Sequence, residues 1–221
     1  MRRFVVAEIV GTAFLTMAVI GSGIAASRLS PGDVGLQLLQ NSLATGAALT
    51  ALILVFGTTS AAFNPVVSAV GAVLGQSSWR DAGALVTAQV AGAGLGALLA
   101  NLMFDLPAIS VSHHARAGAG TALAEVVATS GLVLVVFGLV RSGRTAAVAY
   151  AVGAYIAAAY WFTSSTGFAN PALTVARMLT DTFAGISPAS VPVFLSMQIL
   201  GAVLALGLIR VVWPDPWEVA S

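Results

Sequence analysis

Two Asn-Pro pairs, at residues 64–65 and 170–171, interrupt a chain that is otherwise almost entirely apolar. Asparagine is favoured just before a helix, and proline fits the first helical turn because its missing N–H would have no partner there. Each pair therefore predicts a helix start. The helices that follow, over residues 65–75 and 171–181, would rise only about 16 Å each.

Neither short helix can cross a bilayer alone, because the hydrocarbon core is about 30 Å thick. Two of them meeting end to end near the midplane would cross it together. The residues before each pair, GTTSAAF and SSTGFA, must then be irregular backbone inside the membrane. Such backbone is tolerated only where protein buries it or where it lines a watery cavity. The pattern predicts a pore.

The composition also indicates a membrane protein, since 58% of the 221 residues are hydrophobic and 8% are charged. Six further stretches are long and apolar enough to cross a bilayer: 4–26, 36–56, 82–104, 119–140, 145–163 and 191–213. The charged start resembles a signal peptide, but its apolar part is too long and lacks a small-residue cleavage site. We expect a retained first span and an all-α membrane protein with six transmembrane helices and two half-helices.

The two halves of the chain resemble each other. AEIVGTAFLTMAVIG, from Ala7, matches AEVVATSGLVLVVFG, from Ala124, and each half continues through two more spans that bracket an Asn-Pro pair. Three spans per half make the second copy enter from the opposite side, which gives an inverted repeat. We expect one channel domain over 1–221, with repeats at 1–115 and 116–221.

Arginine placement favours a cytoplasmic N-terminus. Six arginines then lie inside (Arg2, Arg3, Arg80, Arg141, Arg144 and Arg210) and three outside (Arg28, Arg116 and Arg177). We expect a multi-pass protein of the cell (inner or plasma) membrane with both termini cytoplasmic. The net charge of +1 and the scattered arginines offer no surface for nucleic acid.

The two helix starts predict the chemistry of the pore. Each carries a partial positive charge and unpaired N–H groups, and Asn64 and Asn170 add amide donors. Such a site accepts an oxygen atom of water or a polyol and repels cations. No histidine or acidic residue lies at a spacing that would activate a serine or threonine, and the chain has no cysteine. We therefore expect neither an enzyme nor a cofactor. His113 and His114 are interpreted as a solvated loop pair, and no metal site is predicted.

At these residues the chain resembles the aquaporin, or major intrinsic protein, family over nearly its whole length. The resemblance rests on AEIVGT, AQVAGA and AEVVAT, on Asn64-Pro65-Val66, and on Asn170-Pro171-Ala172. It implies a six-span channel with two half-helices, embedded in the lipid bilayer and assembled as a homotetramer. Val66 departs from the family's usual alanine.

The resemblance also implies four positions at the narrowest part of the pore. Counting from the two asparagines gives Ala44, Ala158, Gly167 and Leu173, with Phe168 an alternative to Gly167 because the preceding loop is short. Water-selective relatives place an arginine where this chain has Leu173, so we expect a wide constriction without arginine. Arg177, one helical turn further on, either holds a charge in the outer vestibule or extends to the interface.

Glu8 and Glu125 lie at equivalent positions inside spans one and four. The resemblance implies that each accepts hydrogen bonds from the irregular backbone before its Asn-Pro pair, and a proton-coupling role is the alternative. The expected function is a passive channel for water, glycerol-like polyols and undissociated metalloid hydroxides such as arsenous acid. A water-selective channel, an inverted-repeat secondary transporter and a closed scaffold protein are the alternatives.

Overall fold

The structure, a computed structural model, describes residues 1–214. These residues form eight α-helices and three short 3-10 helices. The α-helices are α1 (Arg2–Leu29), α2 (Val34–Phe56), α3 (Pro65–Val73), α4 (Trp79–Met103), α5 (Ala119–Arg141), α6 (Val148–Phe162), α7 (Pro171–Ala176) and α8 (Val191–Val212). The 3-10 helices are Thr145–Ala147, Arg177–Leu179 and Pro188–Ser190.

Six helical segments within residues 1–214 are long and apolar enough to cross a membrane, and α3 and α7 are too short. The part of the chain that the structure describes contains no strand. The predicted fold class, an all-α protein with six spans and two half-helices, is therefore confirmed. The division into two inverted repeats stays a prediction, and the C-terminus, expected in the cytoplasm, lies outside the described residues.

Both half-helices begin at the proline of an Asn-Pro pair, and each ends earlier than predicted. The α7 helix stops at Ala176 and a 3-10 turn continues it to Leu179. Thr180 then takes extended backbone, with φ −138° and ψ 120°, and its Oγ1 donates a hydrogen bond of 2.7 Å to Asn101 Oδ1. The helical backbone therefore ends before residue 181, and the extended residue after it is bonded to α4.

Close helix contacts hold the bundle together at small residues. On α4, a Cβ atom added to Gly92 would lie 2.4 Å from the carbonyl oxygen of Ile9. On α8, a Cβ atom at Gly201 would lie 2.6 Å from the carbonyl oxygen of Val126. The α1–α4 and α5–α8 pairs therefore approach backbone to backbone, which brings the starts of α1 and α5, with Glu8 and Glu125, close to the half-helices.

Candidate functional site

The starts of α3 and α7 are capped by their own asparagines. Asn64 Oδ1 accepts a hydrogen bond of 3.0 Å from Val66 N. Asn170 Oδ1 accepts hydrogen bonds of 3.1 and 3.3 Å from Ala172 N and Leu173 N. Because the caps use the carbonyl oxygens of the side chains, both amide nitrogens are left to make contacts elsewhere.

Those amide nitrogens join the two half-helices. Asn64 Nδ2 donates to the carbonyl oxygen of Ala169 at 2.7 Å, and Asn170 Nδ2 donates to the carbonyl oxygen of Phe63 at 2.8 Å. Each asparagine thus bonds the residue that precedes the other one. The starts of α3 and α7 meet inside the protein, and both asparagine side chains are buried.

The residues before the asparagines have unusual backbone conformations. Phe63 and Ala169 both have a φ of 47°, in the left-handed region, which costs a non-glycine residue about 1–2 kcal/mol. Their N–H groups donate to buried carboxylates: Phe63 N to Glu8 Oε2 at 2.8 Å and Ala169 N to Glu125 Oε2 at 3.1 Å. The carboxylates offset the unfavourable conformation at both positions.

Each glutamate accepts hydrogen bonds from several groups of the loop before its Asn-Pro pair. Glu8 Oε1 also accepts from Ser60 Oγ at 2.5 Å and from Ala62 N at 2.9 Å. Glu125 Oε1 accepts from Phe168 N at 3.0 Å. Both glutamates are fully buried, and their oxygens are directed at the backbone that irregular membrane loops would otherwise leave unpaired.

Two glutamines that the sequence did not identify as functional complete these networks. Gln89 Nε2 donates to Glu8 Oε2 at 2.8 Å and to Ser68 Oγ at 2.9 Å. Gln198 Nε2 donates to Glu125 Oε2 at 2.6 Å and to Thr174 Oγ1, on α7, at 2.9 Å. The AQVAGA segment contains Gln89, but a glutamine on a helix has no sequence signal that reveals its partner.

A cavity of about 90 Å³ lies beside the two asparagine tips. Asn64, Asn170, Gly167 and Leu173 border it. Apolar side chains from four helices form much of its wall: Leu15, Val19, Leu49, Ile53, Leu132, Val136, Val148, Val152 and Ile156. Along α6 these residues recur every four positions, so a single face of that helix lines the cavity.

One end of the cavity, which we call the Arg177 end, is polar. Thr45 Oγ1 and the Tyr160 hydroxyl are 3.1 Å apart and hydrogen-bonded. Both residues border the cavity, as do Phe168 and Arg177. Val148 lies twelve residues before Tyr160 on α6, about 18 Å along the helix axis. It therefore marks the opposite end of the cavity, which is apolar.

The counted constriction positions are only partly brought together. Gly167 and Leu173 border the cavity, whereas Ala44 and Ala158 do not. Ala158 is exposed on the outer surface of the bundle, and the α2 wall position is Thr45. The constriction positions at Ala44 and Ala158 stay predictions. On the same helices Thr45 and Tyr160 border the cavity, one and two positions further on, and such a shift turns a helical side chain by about 100–200°.

The expected constriction without arginine stays a prediction, and Arg177 lies in the cavity wall beyond Leu173. Arg177 borders the cavity and is 3% exposed, so the alternative of a side chain extending to the interface does not hold. Its Nε donates to the carbonyl oxygen of Ala184, and its guanidinium carbon lies 3.4 Å from the Phe168 ring centroid. The Arg116 guanidinium lies 5.0 Å from the same ring.

The histidine pair lies in the loop between α4 and α5. His113 Nδ1 is 3.0 Å from Asp181 Oδ2, and His113 N donates to Asp181 Oδ1 at 2.9 Å. These hydrogen bonds hold the pKa of the Asp181 carboxyl below its ordinary value. Burial, together with the guanidinium groups of Arg116 and Arg177, lowers the pKa of His114. No cluster of three metal-binding side chains occurs within residues 1–214.

Comparison with known proteins agrees with this geometry. The family model described as Major intrinsic protein matches residues 1–148. The chain is 50% identical to aquaglyceroporin AqpS of Rhizobium meliloti (strain 1021) over 209 residues, which cover 94% of this chain and 89% of the relative. It is 32% identical to the probable aquaporin NIP7-1 of Arabidopsis thaliana over 130 residues, 58% of this chain and 46% of the relative.

A solved structure shares the fold. The X-ray structure of the aquaglyceroporin from Plasmodium falciparum superposes with a TM-score of 0.76 at 23% sequence identity. The match covers 96% of this chain and 97% of that chain. At this identity the likeness concerns the arrangement of the helices alone.

Proposed function

The chain belongs to the major intrinsic protein family, and from that membership we propose that it is a passive channel for water and small uncharged solutes such as glycerol. The observation that carries the proposal is the cavity beside Asn64 and Asn170, with an apolar wall and a polar Arg177 end. Each asparagine Nδ2 has a second hydrogen besides the one bonded to the opposite half-helix, which a neutral hydroxylated molecule can accept. The positive ends of the two half-helices are unfavourable for cations.

The proposed solutes include undissociated metalloid hydroxides such as arsenous acid. These molecules resemble glycerol in presenting hydroxyl groups without charge. Leu173 supports this extension, because it borders the cavity with an aliphatic side chain that neither donates a hydrogen bond nor carries charge. The 50% identical relative named an aquaglyceroporin supports the inclusion of glycerol.

The chain is a multi-pass membrane protein with six helical segments long enough to span. We place it in the cell membrane, with a cytoplasmic N-terminus and the Arg177 end outside, on the basis of the arginine distribution. The expected assembly is a homotetramer with one pore in each subunit. Exposed apolar residues on the long helices, for example Phe14 at 56% and Leu43 at 59%, support contact with lipid or with neighbouring subunits.

Stopped-flow measurements on proteoliposomes test the proposed function. Vesicles that contain the protein should respond to gradients of water, glycerol, urea and arsenous acid faster than protein-free vesicles of the same lipid. Fast water flux with complete exclusion of glycerol and urea would instead support the water-selective alternative. No flux of any neutral solute from intact tetramers would support a scaffold protein.

A second measurement separates a channel from a secondary transporter. Transport through a passive channel stops when solute concentrations are equal on both sides, whatever the proton gradient. Uphill accumulation of glycerol driven by a pH gradient would show coupling and would contradict the channel. Glu8 and Glu125 are poor candidates for coupling, because their oxygens accept hydrogen bonds from fixed backbone donors.

A further inference from the structure

Arg177 lies in the cavity wall although Leu173 occupies the place where an arginine was expected. Arg177 follows Leu173 by four positions, which moves the point of attachment of the side chain by about 6 Å along the axis of α7. Arg177 is the first residue of the 3-10 turn that follows α7. Arg177 therefore belongs to the same inserted segment as Asn170 and lies further from the helix tip.

Two contacts fix this side chain. Its Nε donates to the carbonyl oxygen of Ala184, and the guanidinium stacks at 3.4 Å on the Phe168 ring. Phe168 is itself held by its backbone N–H, which donates to Glu125 Oε1 at 3.0 Å, and by Phe194, whose ring centroid is 5.0 Å away. The arginine thus rests on an aromatic ring that is fixed to the same network as the helix tip.

The terminal nitrogens of Arg177, Nη1 and Nη2, have no protein acceptor among residues 1–214. The residue as a whole is 3% exposed, and it borders the cavity. A buried guanidinium requires acceptors for its N–H groups. Oxygen atoms of water or solute inside the cavity can supply them.

The remaining polar groups at this end are hydroxyls. Thr45 and Tyr160 are bonded to each other and border the same cavity as Arg177. The Tyr160 side chain lies within electrostatic range of the guanidinium. A solute that enters here meets fixed cationic donors and a hydroxyl pair, while the wall beyond is apolar.

No carboxylate borders the cavity within the described residues. Glu125 lies within electrostatic range of Arg177, but its oxygens accept from Phe168, Ala169 and Gln198. The guanidinium therefore presents a positive charge to the cavity that no bordering carboxylate neutralises. A cation in that space is repelled, whereas a neutral hydroxylated solute can accept the N–H groups.

We propose that Arg177, positioned by Phe168, is the specificity-determining residue of this channel, in place of the arginine missing at Leu173. Its charge excludes cations at the Arg177 end, and its Nη groups select solutes with a hydroxyl oxygen that can accept from them. This inference rests on the proposed channel function. It also assigns the two effects to different properties of one side chain, charge and donor geometry.

Two variants separate these properties. Arg177→Lys keeps the charge and loses the planar pair of Nη donors, whereas Arg177→Gln keeps an amide donor and loses the charge. Arg28→Gln is the matched control. Arg28 also donates to a backbone carbonyl, at 2.6 Å to Phe104 O, and lies 5.3 Å from the Phe104 ring, but it does not border the cavity.

Proteoliposomes with each variant should be measured for sodium conductance and for the glycerol-to-water permeability ratio. Arg177→Gln should raise cation conductance about fivefold or more, because a unit charge about 4 Å away changes an ion's energy by about 1 kcal/mol even in bulk water. Arg177→Lys should keep the low conductance and change the glycerol-to-water ratio about threefold, because lysine keeps the charge but cannot reproduce the planar pair of Nη donors. Arg28→Gln should match the unsubstituted protein in both.

The outcomes separate the inference from the proposed function. If the unsubstituted protein passes no neutral solute, the channel proposal fails. If it passes glycerol and both Arg177 variants behave like Arg28→Gln, the inference is overturned while the channel stands. If Arg177→Gln does not yield a folded oligomer on size exclusion, the permeability ratio of Arg177→Lys decides, and an unchanged ratio rejects the role of Arg177.

Discussion

Single residues set the polarity of the cavity and hold its irregular backbone. Phe63 and Ala169 adopt left-handed backbone with a φ of 47°, and each is held by a buried carboxylate on one side and the opposite asparagine on the other. Leu173 places an aliphatic side chain in the cavity wall near the helix tip, and Arg177 places a charge in the wall one turn further on.

At Glu8, replacement by alanine should destabilise the protein severely. Two buried backbone donors, Ala62 N and Phe63 N, would lose their acceptor, at about 1–3 kcal/mol each. We expect a loss of about 4 kcal/mol in the free energy of unfolding, measured by denaturant titration in detergent. Glu8→Gln keeps one acceptor oxygen and should lose less. Accumulation driven by a pH gradient that disappears in a folded Glu8→Gln protein would instead indicate a proton-coupling carboxylate.

At Leu173, replacement by arginine should narrow the range of solutes. The longer, charged side chain would project into a cavity that already contains Arg177, so that glycerol is hindered more than water. We expect the glycerol-to-water permeability ratio to fall about tenfold, a barrier difference of about 1.4 kcal/mol. Leu173→Met, which conserves volume, serves as the control. An unchanged ratio in Leu173→Arg would contradict the placement of Leu173 at the constriction.

Helices meet in this bundle through positions that tolerate no side chain. On α4, Gly92 and Gly96 face α1, and a Cβ atom at either would lie 2.4 Å from a backbone oxygen, of Ile9 and Ala13 respectively. Gly94, between them, has nothing within 4 Å of its Cβ position. The alternation follows from the helical period, which turns Gly94 away from the α1 face.

This contrast yields a matched pair of variants on one helix. Gly96→Ala forces α1 and α4 apart and should cost about 3 kcal/mol or more of stability, at the upper end of overpacking. Gly94→Ala should be neutral or slightly stabilising, because alanine is favoured over glycine within a helix by about 1 kcal/mol. Thermal unfolding of the purified variants measures both. Equal melting temperatures for the two would contradict the close contact at Gly96.

At the scale of the whole molecule, the largely exposed loop over residues 104–118 packs against the segment that contains Arg177. Ser110 N donates to Leu179 O at 3.0 Å and Ser112 N to Met178 O at 2.9 Å, so the loop lies on the segment that contains Arg177. Ser187 N donates to His114 O at 2.8 Å from the other side. The loop thereby covers the end of α7 and is hydrogen-bonded to the two residues that follow Arg177.

This loop should loosen on acidification. The pKa of Asp181 is lowered from 3.8 by its hydrogen bonds to His113. The stabilisation that these bonds give is therefore fully present above pH 3.8 and is lost as the pH falls through the lowered pKa. The pKa of His114 lies below 6.5, so folding is favoured above 6.5 and the advantage declines as pH falls from 6.5 toward the lowered value. Both effects have the same sign.

Hydrogen exchange across pH 7 to 4 measures this loosening. The Ser110 and Ser112 amides should lose protection, after correction for intrinsic exchange, while amides inside α5 should not. The first loss should fall below pH 6.5 and belong to His114. A His114→Gln variant, in which the contact of His113 with Asp181 is retained, should show little of the loss above pH 5. Unchanged protection of these serines down to pH 4 would contradict the assignment.

The sequence by itself determined the fold class, the helix starts at Pro65 and Pro171, and the identity of the residues that face each other at the tips. These features depend on hydropathy, on local capping and on a repeated pattern, all of which are carried by neighbouring residues. The tertiary structure alone decided which side chains line the cavity. Thr45 and Tyr160 border it where Ala44 and Ala158 were counted, because helix rotation sets which side chains face inward, and Arg177 joins Gly167 and Leu173 there. The glutamine partners of Glu8 and Glu125 come from α4 and α8, which lie far from them in the sequence.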